Sequence, residues 1–581
     1  MKKKVTNIKF LSKYIKGSKY LLIWNTILNI LVIILSVIMP ILSAKVIVNL
    51  TNNELHSVIM VSILLFSLRI INIIFKFFVY YTNALFYVNF YNKLTKDINR
   101  RLHTFTNKVL DNNSTGLFIK RLKNDPDTVA ITYWNVSECI YNMLSTVGVF
   151  IAMFIISPIV CLFTLIGLSL VTLLDNYNVY KSGNLKKITK KEMETSAGLT
   201  SEVIHGIRDI KMLNVEKNTE KLLKDEIEKV IKCETKEKIT NHFIGNIANI
   251  TDNLRSLLTI ILFIYLITND KLTIVNALVL FNYNTSISYF QGYVSVLLSY
   301  IKDFNISTGR IKELFDNEKF DVETFGTKHI KKVKGKFEFK DVHFGYKDKE
   351  VLKGISFTVN PDETVAFVGK TGSGKTTIFN LLCKMYEVNS GEILIDNVNI
   401  NELDKDTIRG NITVISQSPY IFNMSIKDNL KLVKPNITNK EMKEALKTAC
   451  LYDYVESLPD KYDTILGEGG VTLSGGQKQR LAIARALIQK TEIILFDEAT
   501  SALDNETQEK ITKAINNMKR EYTIMIIAHR LSTIINADKI FFLNNGVIEC
   551  SGSHEYLLKH SKDYKKLYEK EIKEMASAKL K

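Results

Sequence analysis

The sequence predicts a multi-domain protein, an all-α domain of six transmembrane helices followed by an α/β domain that carries a phosphate-binding P-loop. Three observations predict it. Long apolar runs fill residues 20 to about 302, whereas 335–575 reads as a soluble α/β pattern. Lys and Arg crowd into particular loops of the first half. In the second half a buried-strand pattern runs straight into a glycine-rich loop. At 581 residues the chain is too long for one hydrophobic core. The expected divisions are 1–310 for the membrane domain, 311–334 for a linker and 335–575 for the α/β domain.

A helix needs about 20 mostly apolar residues to cross a bilayer. Candidates run from about Tyr20 to Val48 (Pro40 a possible kink), Ser57 to Phe90, Thr132 to Ile156, Ile159 to Leu174, Asn246 to Thr268 and Thr273 to Tyr300. Ser157-Pro158 and Asn269-Asp270-Lys271 supply short turns between neighbouring spans. An even number of spans puts both ends on one side. Segment 91–130 holds Lys93, Lys96, Arg100, Arg101, Lys108, Lys120, Arg121 and Lys123. Segment 181–242 holds Lys186, Lys187, Lys190, Lys191, Arg208, Lys211 and more, while the opposite loops offer little beyond Lys45 and Lys271. The positive-inside rule places both termini, both long loops and the α/β domain in the cytoplasm of a multi-pass cell-membrane protein. Leu199, Val203, Ile207, Ile210 and Leu213 recur at helical spacing, so the long loops are expected to be helices continuing out of the membrane. Such helices would be rigid levers that carry movement between the α/β domain and the membrane, or, more plainly, solvated connectors.

The net charge of +17 alone would fit nucleic acid or an anionic membrane surface, and the spans with one-sided basic loops favour the membrane. Cysteines 139, 161, 233, 383, 450 and 550 have neither zinc nor redox spacing and read as reduced structural thiols. The basic N-terminus lacks a small-residue cleavage site, so no removed signal peptide is read.

In the second half, 335–361 alternates as half-buried strands do, and Thr364–Val368 reads as a buried strand. It leads into Gly369-Lys370-Thr371-Gly372-Ser373-Gly374-Lys375-Thr376, the GxxxxGK[ST] pattern between strand and helix. Its glycines let backbone N–H groups curl round phosphate oxygens, and the next helix aims its positive end at them. Lys375 offers a point charge to the β- and γ-phosphates, and the Thr376 hydroxyl a ligand to Mg2+. Thr377 completes the expected ATP-binding stretch. Ile493–Phe496 reads as a central strand ending in Asp497-Glu498. Asp497 is expected near Mg2+ and Glu498 as the residue that orients or deprotonates the attacking water. Strand Thr523–Ala528 ends at His529, a candidate γ-phosphate contact.

Leu473-Ser474-Gly475-Gly476-Gln477 lies between these elements and should open a helix through Leu481-Ala482-Ile483-Ala484. LSGGQ resembles the signature of ATP-binding cassette (ABC) proteins, and the resemblance covers nearly the whole chain, closest to exporter-type half-transporters. It implies an ABC cassette with a RecA-like P-loop NTPase core, an antiparallel β subdomain and a helical subdomain. It also implies ATP and Mg2+ as ligands and two cassettes packed head to tail, as a homodimer or with a related chain. By resemblance, Tyr346 stacks on adenine, Gln417 senses Mg2+ and contacts the membrane domain, and Phe422, Ser425 and Asn429 follow it. Ser474, Gly475, Gly476 and Gln477 complete the partner's ATP site, Gly467-Glu468-Gly469 faces the coupling helices, and Ser501-Ala502-Leu503-Asp504 crosses the interface. Ser114-Thr115-Gly116 with Arg121-Leu122-Lys123-Asn124-Asp125 resembles the first coupling region, and Glu202 with Gly206-Ile207-Arg208 the second. The expected catalytic set is Glu498, His529, Lys375 and Gln417, with Thr376, Gln417 and Asp497 at the metal.

Intramembrane polar residues (Asn246, Asn249, Asp252, Asn253, Arg255, Asn282, Asn284, Thr285, Ser286, Gln291, Arg69, Glu138) are candidates to line a cargo pathway, and Asp252 and Arg255 can equally pair on one helix face. Polar lining suggests an amphipathic or peptide-like cargo rather than a purely apolar drug, while the resemblance leaves amphipathic, lipid, drug and peptide-like cargo open. With no peptidase-like segment before the first span, trimming of cargo by this chain is not expected. Alternatives are an importer of exporter-like architecture, a soluble cassette protein acting on nucleic acid or ribosomes, and an ATP-gated channel or regulator.

Overall fold

The computed structural model describes residues 2–113, 115–287, 290–346, 349–467, 470–497, 521–527 and 534–579. By contacts the chain divides into two units, 1–104 with 113–320, and 105–112 with 321–581.

The first unit is all helix. It comprises α1 (Lys2–Ile15), α2 (Lys19–Thr51), α3 (Leu55–Leu102), α5 (Thr115–Ile119), α6 (Asp125–Ile156), α7 (Pro158–His205), α8 (Ile207–Leu213), α9 (Glu216–Thr268), α10 (Ile274–Ile287) and α11 (Phe290–Glu313). α4 (Asn107–Asn112) belongs to the second unit. Helices containing α2, α3, α6 and α9 are long and apolar enough to span a membrane, and Pro158–Leu174 and Ile274–Asn284 add shorter apolar stretches. Four of the six expected spans thus fall on helices of membrane length, while the expected fourth and sixth coincide with the two shorter apolar stretches, the second of which stops well before Tyr300. Pro40 sits within α2, and Pro158 starts α7, where its missing N–H costs no hydrogen bond. None of the most apolar window of α3 is buried within the unit, so its side chains face lipid or another chain.

Lipid offers no hydrophobic drive between helices, so shape and polar contacts must supply it. Asn25 lies buried, with its amide nitrogen 2.9 Å from Thr82 Oγ1 and 3.1 Å from Asn83 Oδ1. Arg255 is 4% exposed, and its Nε donates to Asp252 Oδ1 at 2.8 Å, the i,i+3 pairing the spacing allows. It also donates to Asn284 of α10. Arg69 and Glu138 are exposed within the unit. The side chains of Thr285, Ser286 and Gln291 lie outside the described set. α7 runs to His205, far past the fourth span, and α9 begins at Glu216, well before the fifth. The long loops are therefore helical extensions. Gly206 breaks them before the short α8, which Asn214 closes in the left-handed region at φ 54°.

The second unit contains two sheets. β1 (Phe337–Tyr346), β2 (Lys349–Val359), β4 (Ser390–Ile395) and β5 (Val398–Asn399) form an antiparallel sheet in the order β2-β1-β4-β5. β3 (Thr364–Gly369), β6 (Ile412–Ile415), β7 (Ile493–Asp497), β8 (Thr523–Ile527), β9 (Lys539–Asn544) and β10 (Val547–Gly552) form the other, ordered β10-β9-β3-β8-β7-β6. Its pairs are parallel except β9–β10. Strand alternation gives it two buried faces. Val365, Phe367, Ile493, Leu495, Met525 and Ile527 pack with Phe337, Phe339 and Phe357 of the antiparallel sheet. Ala366, Val368, Ile494, Phe496, Ile524 and Ile526 pack with helical residues such as Leu446, Val455 and Leu481. Burying one such side chain contributes about 1.5–3 kcal/mol, and both registers are used, which explains the nearly unbroken apolar strands. The helices are α12 (Lys375–Leu382), α13 (Lys405–Arg409), α14 (Ile426–Lys431), α15 (Asn439–Thr448), α16 (Tyr452–Ser457), α17 (Gly475–Gln489), α18 (His554–His560) and α19 (Lys562–Lys579).

Candidate functional site

The site lies at the carboxyl ends of the parallel strands, where helix starts converge. β3 ends at Gly369, and the chain turns through 370–374 into α12. Gly374 caps that helix at φ 103°, and a Cβ there would meet Leu352 Cδ2 at 2.6 Å, so glycine is required twice over. Gly372 stands at φ 83° with open space around it, leaving its backbone accessible.

Lys375 is only 6% exposed. Its ammonium donates to the carbonyls of Gly369 at 2.9 Å and Lys370 at 3.1 Å, so the loop's own backbone aims the charge inward. Ser373 is 4% exposed, and its Oγ has no hydrogen-bond partner among the described residues. A buried unsatisfied hydroxyl costs about 1–3 kcal/mol, and a phosphate oxygen would satisfy it. Thr376 Oγ1 donates to Asp497 Oδ1 at 3.3 Å, across 121 positions of sequence. The hydroxyl and carboxylate beside a buried lysine form an oxygen donor pair suited to Mg2+. Thr377 is buried, whereas Lys370 and Thr371 are exposed.

β8 lies between β3 and β7 and pairs Ile527 with both Phe367 and Asp497. It ends two residues before His529. Glu498, Asp504 with the rest of 498–520, and His529 lie outside the described residues, as do Ser114, Glu468 and Gly469. Gln417 follows β6, which pairs Ile415 with Phe496 on the outer side of β7. Its carbonyl accepts from Gln479 Nε2 at 3.0 Å, which ties this loop to α17.

α17 starts as its sequence implies. Ser474 and Gln477 form a reciprocal capping box, with Ser474 N donating to Gln477 Oε1 at 2.8 Å and Gln477 N to Ser474 Oγ at 3.2 Å. Gly475 and Gly476 occupy the first turn, whose N–H groups have no earlier carbonyl to bond, and Ser474 and Gly475 are exposed. Tyr346 ends β1, 38% exposed, with Asn380 Nδ2 3.4 Å from its hydroxyl. The structure thus brings Thr376, next to Lys375 at the start of α12, against Asp497 at the end of β7, with Gln417 on the loop that follows the neighbouring strand β6.

The Gln417 loop is braced from behind by Asn429, which has no solvent exposure. Its Oδ1 accepts from Phe422 N at 3.1 Å, and its Nδ2 reaches the carbonyls of Phe422, Met424 and Ser425 at 3.0, 3.3 and 3.1 Å. Asn429→Ala strands these backbone groups and is expected to destabilise the second unit by about 2–4 kcal/mol. A thermal melt of the full chain that matches wild type would show that water replaces the amide at no cost.

Tyr386, whose ring meets Tyr346, Asp111, which accepts from its hydroxyl, and the paired Arg409 and Glu323 belong to no sequence motif. Their only sequence signal is a Tyr shortly after the phosphate-loop helix.

A profile described as ABC transporter matches residues 352–501, and one described as ABC transporter transmembrane region matches 22–293. An ATP-dependent lipid A-core flippase of Francisella tularensis subsp. holarctica is 30% identical over 490 residues, 82% of this chain and 79% of that protein. The Haemophilus influenzae protein of the same name is 44% identical over 246 residues, 42% of each chain. P-glycoprotein 14 of Caenorhabditis elegans is 40% identical over 276 residues, 47% of this chain. The matched stretch spans only 21% and 42% of the length of the last protein and the Haemophilus flippase, respectively. A solved bacterial Atm1-family ABC exporter with ATP bound shares the fold, with a TM-score of 0.79 over 96% of this chain and 98% of its own, at 23% identity.

Proposed function

The chain belongs to the ABC transporter family, and from that premise we propose that it is one half of a dimeric exporter that hydrolyses ATP to move an amphipathic, lipid-like or peptide-like cargo across the cell membrane, its ATPase unit on the cytoplasmic side. The observation that carries this reading is the Thr376–Asp497 contact at 3.3 Å beside the buried Lys375, in a chain whose other unit is a set of membrane-length apolar helices.

The triphosphate lies along Gly369–Thr377. Backbone N–H groups and Lys375 bind its oxygens, Ser373 Oγ gains the partner it lacks, and Tyr346 stacks on adenine. Mg2+ would be held by Thr376, Asp497 and Gln417 and would neutralise phosphate charge. Glu498 orients and deprotonates the water, and His529 contacts the γ-phosphate. The exposed start of α17 completes the site of a second copy through Ser474 and Gly476. ATP binds the closed pair better than the open one, so it shifts the equilibrium toward closure. The coupling helices convey closure to the spans. Relatives bearing the words flippase and exporter support the outward direction. Transport into inside-out vesicles checks it, and uptake only into right-side-out vesicles would reverse it.

Mixing two inactive variants tests the shared site. Lys375→Ala and Ser474→Arg homodimers are each expected to hydrolyse ATP at a few per cent of wild type or less. In a mixed dimer one site combines an intact phosphate loop with an intact signature. Co-expressed, doubly tagged mixed dimers should therefore regain about a quarter to a half of wild-type turnover, the share of one site in two. Mixed dimers as dead as their parents would argue that each chain completes its own site.

A further inference from the structure

Beside β1 in the second unit lies a cleft of about 490 Å3, lined by Lys108, Asp111, Glu323, Tyr346, Tyr386 and Asn389 among others. One wall is the short segment 105–112, which chain connectivity places directly after α3, a membrane-length helix. Two sets of bonds attach this segment. At its start, Phe105 bridges Val322 in antiparallel fashion and Thr106 N donates to Asp321 O at 3.1 Å. At its end, Asp111 Oδ2 accepts from the Tyr386 hydroxyl at 2.5 Å.

Both attachments converge on one arginine. Arg409 grips Glu323, the residue after Val322, through NH1 to Oε2 at 2.9 Å and NH2 to Oε1 at 2.7 Å. The same guanidinium donates to the carbonyls of Cys383 at 3.1 Å and Lys384 at 3.0 Å, just before Tyr386. Such a planar bidentate fork fixes orientation as well as distance. Downstream, Asn389 N donates to His343 O at 2.9 Å and its Oδ1 accepts from Gly345 N at 3.1 Å, tying the loop to the strand that carries Tyr346. The loop is thus pinned on both sides of Tyr386. The Tyr386 ring meets Tyr346 edge-on at 5.2 Å and 87°, and Phe344 at 5.7 Å. Burial and the Asp111 carboxylate push the Tyr386 phenol well above its usual range, so it remains a proton donor at any physiological pH.

We infer that Tyr386 is a positioning residue. Its ring buttresses Tyr346 and its hydroxyl holds Asp111, so occupancy of the base site beside Tyr346 sets the position of segment 105–112 within the second unit. Packing alone needs only the ring; the hydroxyl on a carboxylate of a different segment is what gives the contact a direction. The inference rests on the nucleotide reading proposed above.

The test uses full-length protein in lipid and hydrogen exchange of residues 105–112, with and without Mg2+ and a non-hydrolysable ATP analogue. In wild type the analogue should slow exchange of this segment at least tenfold. Tyr386→Phe and Asp111→Ala should abolish that nucleotide-dependent slowing while changing analogue affinity less than about threefold, because neither removes a phosphate contact. Asp111→Asn keeps an accepting oxygen and should restore most of the slowing. The double variant Tyr386→Phe/Asp111→Ala should be no worse than either single one. Slowing equal to wild type in Tyr386→Phe, or additive losses in the double variant, would overturn the inference. If a variant melts earlier, the comparison with and without analogue in that same sample still decides. Wild type that fails to bind the analogue at all would instead bring down the nucleotide reading itself, and this inference with it.

Discussion

Lys375→Ala is expected to lower MgATP turnover about 10³-fold, a loss of about 4 kcal/mol of transition-state stabilisation. The ammonium is buried and pre-aimed by the Gly369 and Lys370 carbonyls, so it needs no reorganisation as negative charge gathers on the phosphates. Buried surroundings screen it less than water would, which is why one charge has so large an effect. Stability should change little. Removing the side chain ends a desolvation cost and loses two hydrogen bonds, and these effects oppose each other to within about 1 kcal/mol. ATPase activity and a thermal melt on the same reconstituted sample check both halves. Turnover within tenfold of wild type would mean that the loop backbone holds the phosphates without the lysine.

Glu498→Gln is expected to slow hydrolysis at least about 100-fold while leaving ATP affinity within a few-fold, trapping the closed dimer. The preceding residue ends β7, pairs with Ile527 and accepts from Thr376, so the chain emerges from the strand beside the phosphate loop. An amide of the same shape cannot take a proton, and general-base loss costs about 10²–10⁴ in rate. Nucleotide retained after rapid dilution should be ATP in the variant and mostly ADP in wild type. Normal hydrolysis by the variant would remove Glu498 from its assigned role.

These two variants separate binding charge from base chemistry. Lys375→Ala should fail to close the dimer, whereas Glu498→Gln should close and stay closed. If both showed the same nucleotide occupancy, the proposal that ATP binds the closed pair better than the open one would lose its support.

Local signals made much of this protein legible. Apolar runs of bilayer length give the spans, because lipid permits only helices whose backbone is satisfied within themselves. Gly369–Thr376 announces the phosphate loop, because close backbone approach needs residues without a Cβ, as Gly374 shows. Ser474 and Gln477 announce the start of α17, because a capping box is a contact across three residues. The helical extensions of α7 and α9 follow from a period that any stretch of chain displays by itself.

Tertiary structure alone decided what joins across long stretches of chain. The order β3-β8-β7 places Thr376 against Asp497, and no local pattern encodes which strands become neighbours. Segment 105–112 lies in sequence within the helical half yet packs with the cassette, and its six-residue helix has too few turns for the sequence to show which face it buries. Arg409 and Glu323 stand 86 positions apart, and only the folded chain brings them within hydrogen-bond distance. Charge and periodicity report what a residue prefers as its surroundings, and the folded chain alone determines which residue supplies them.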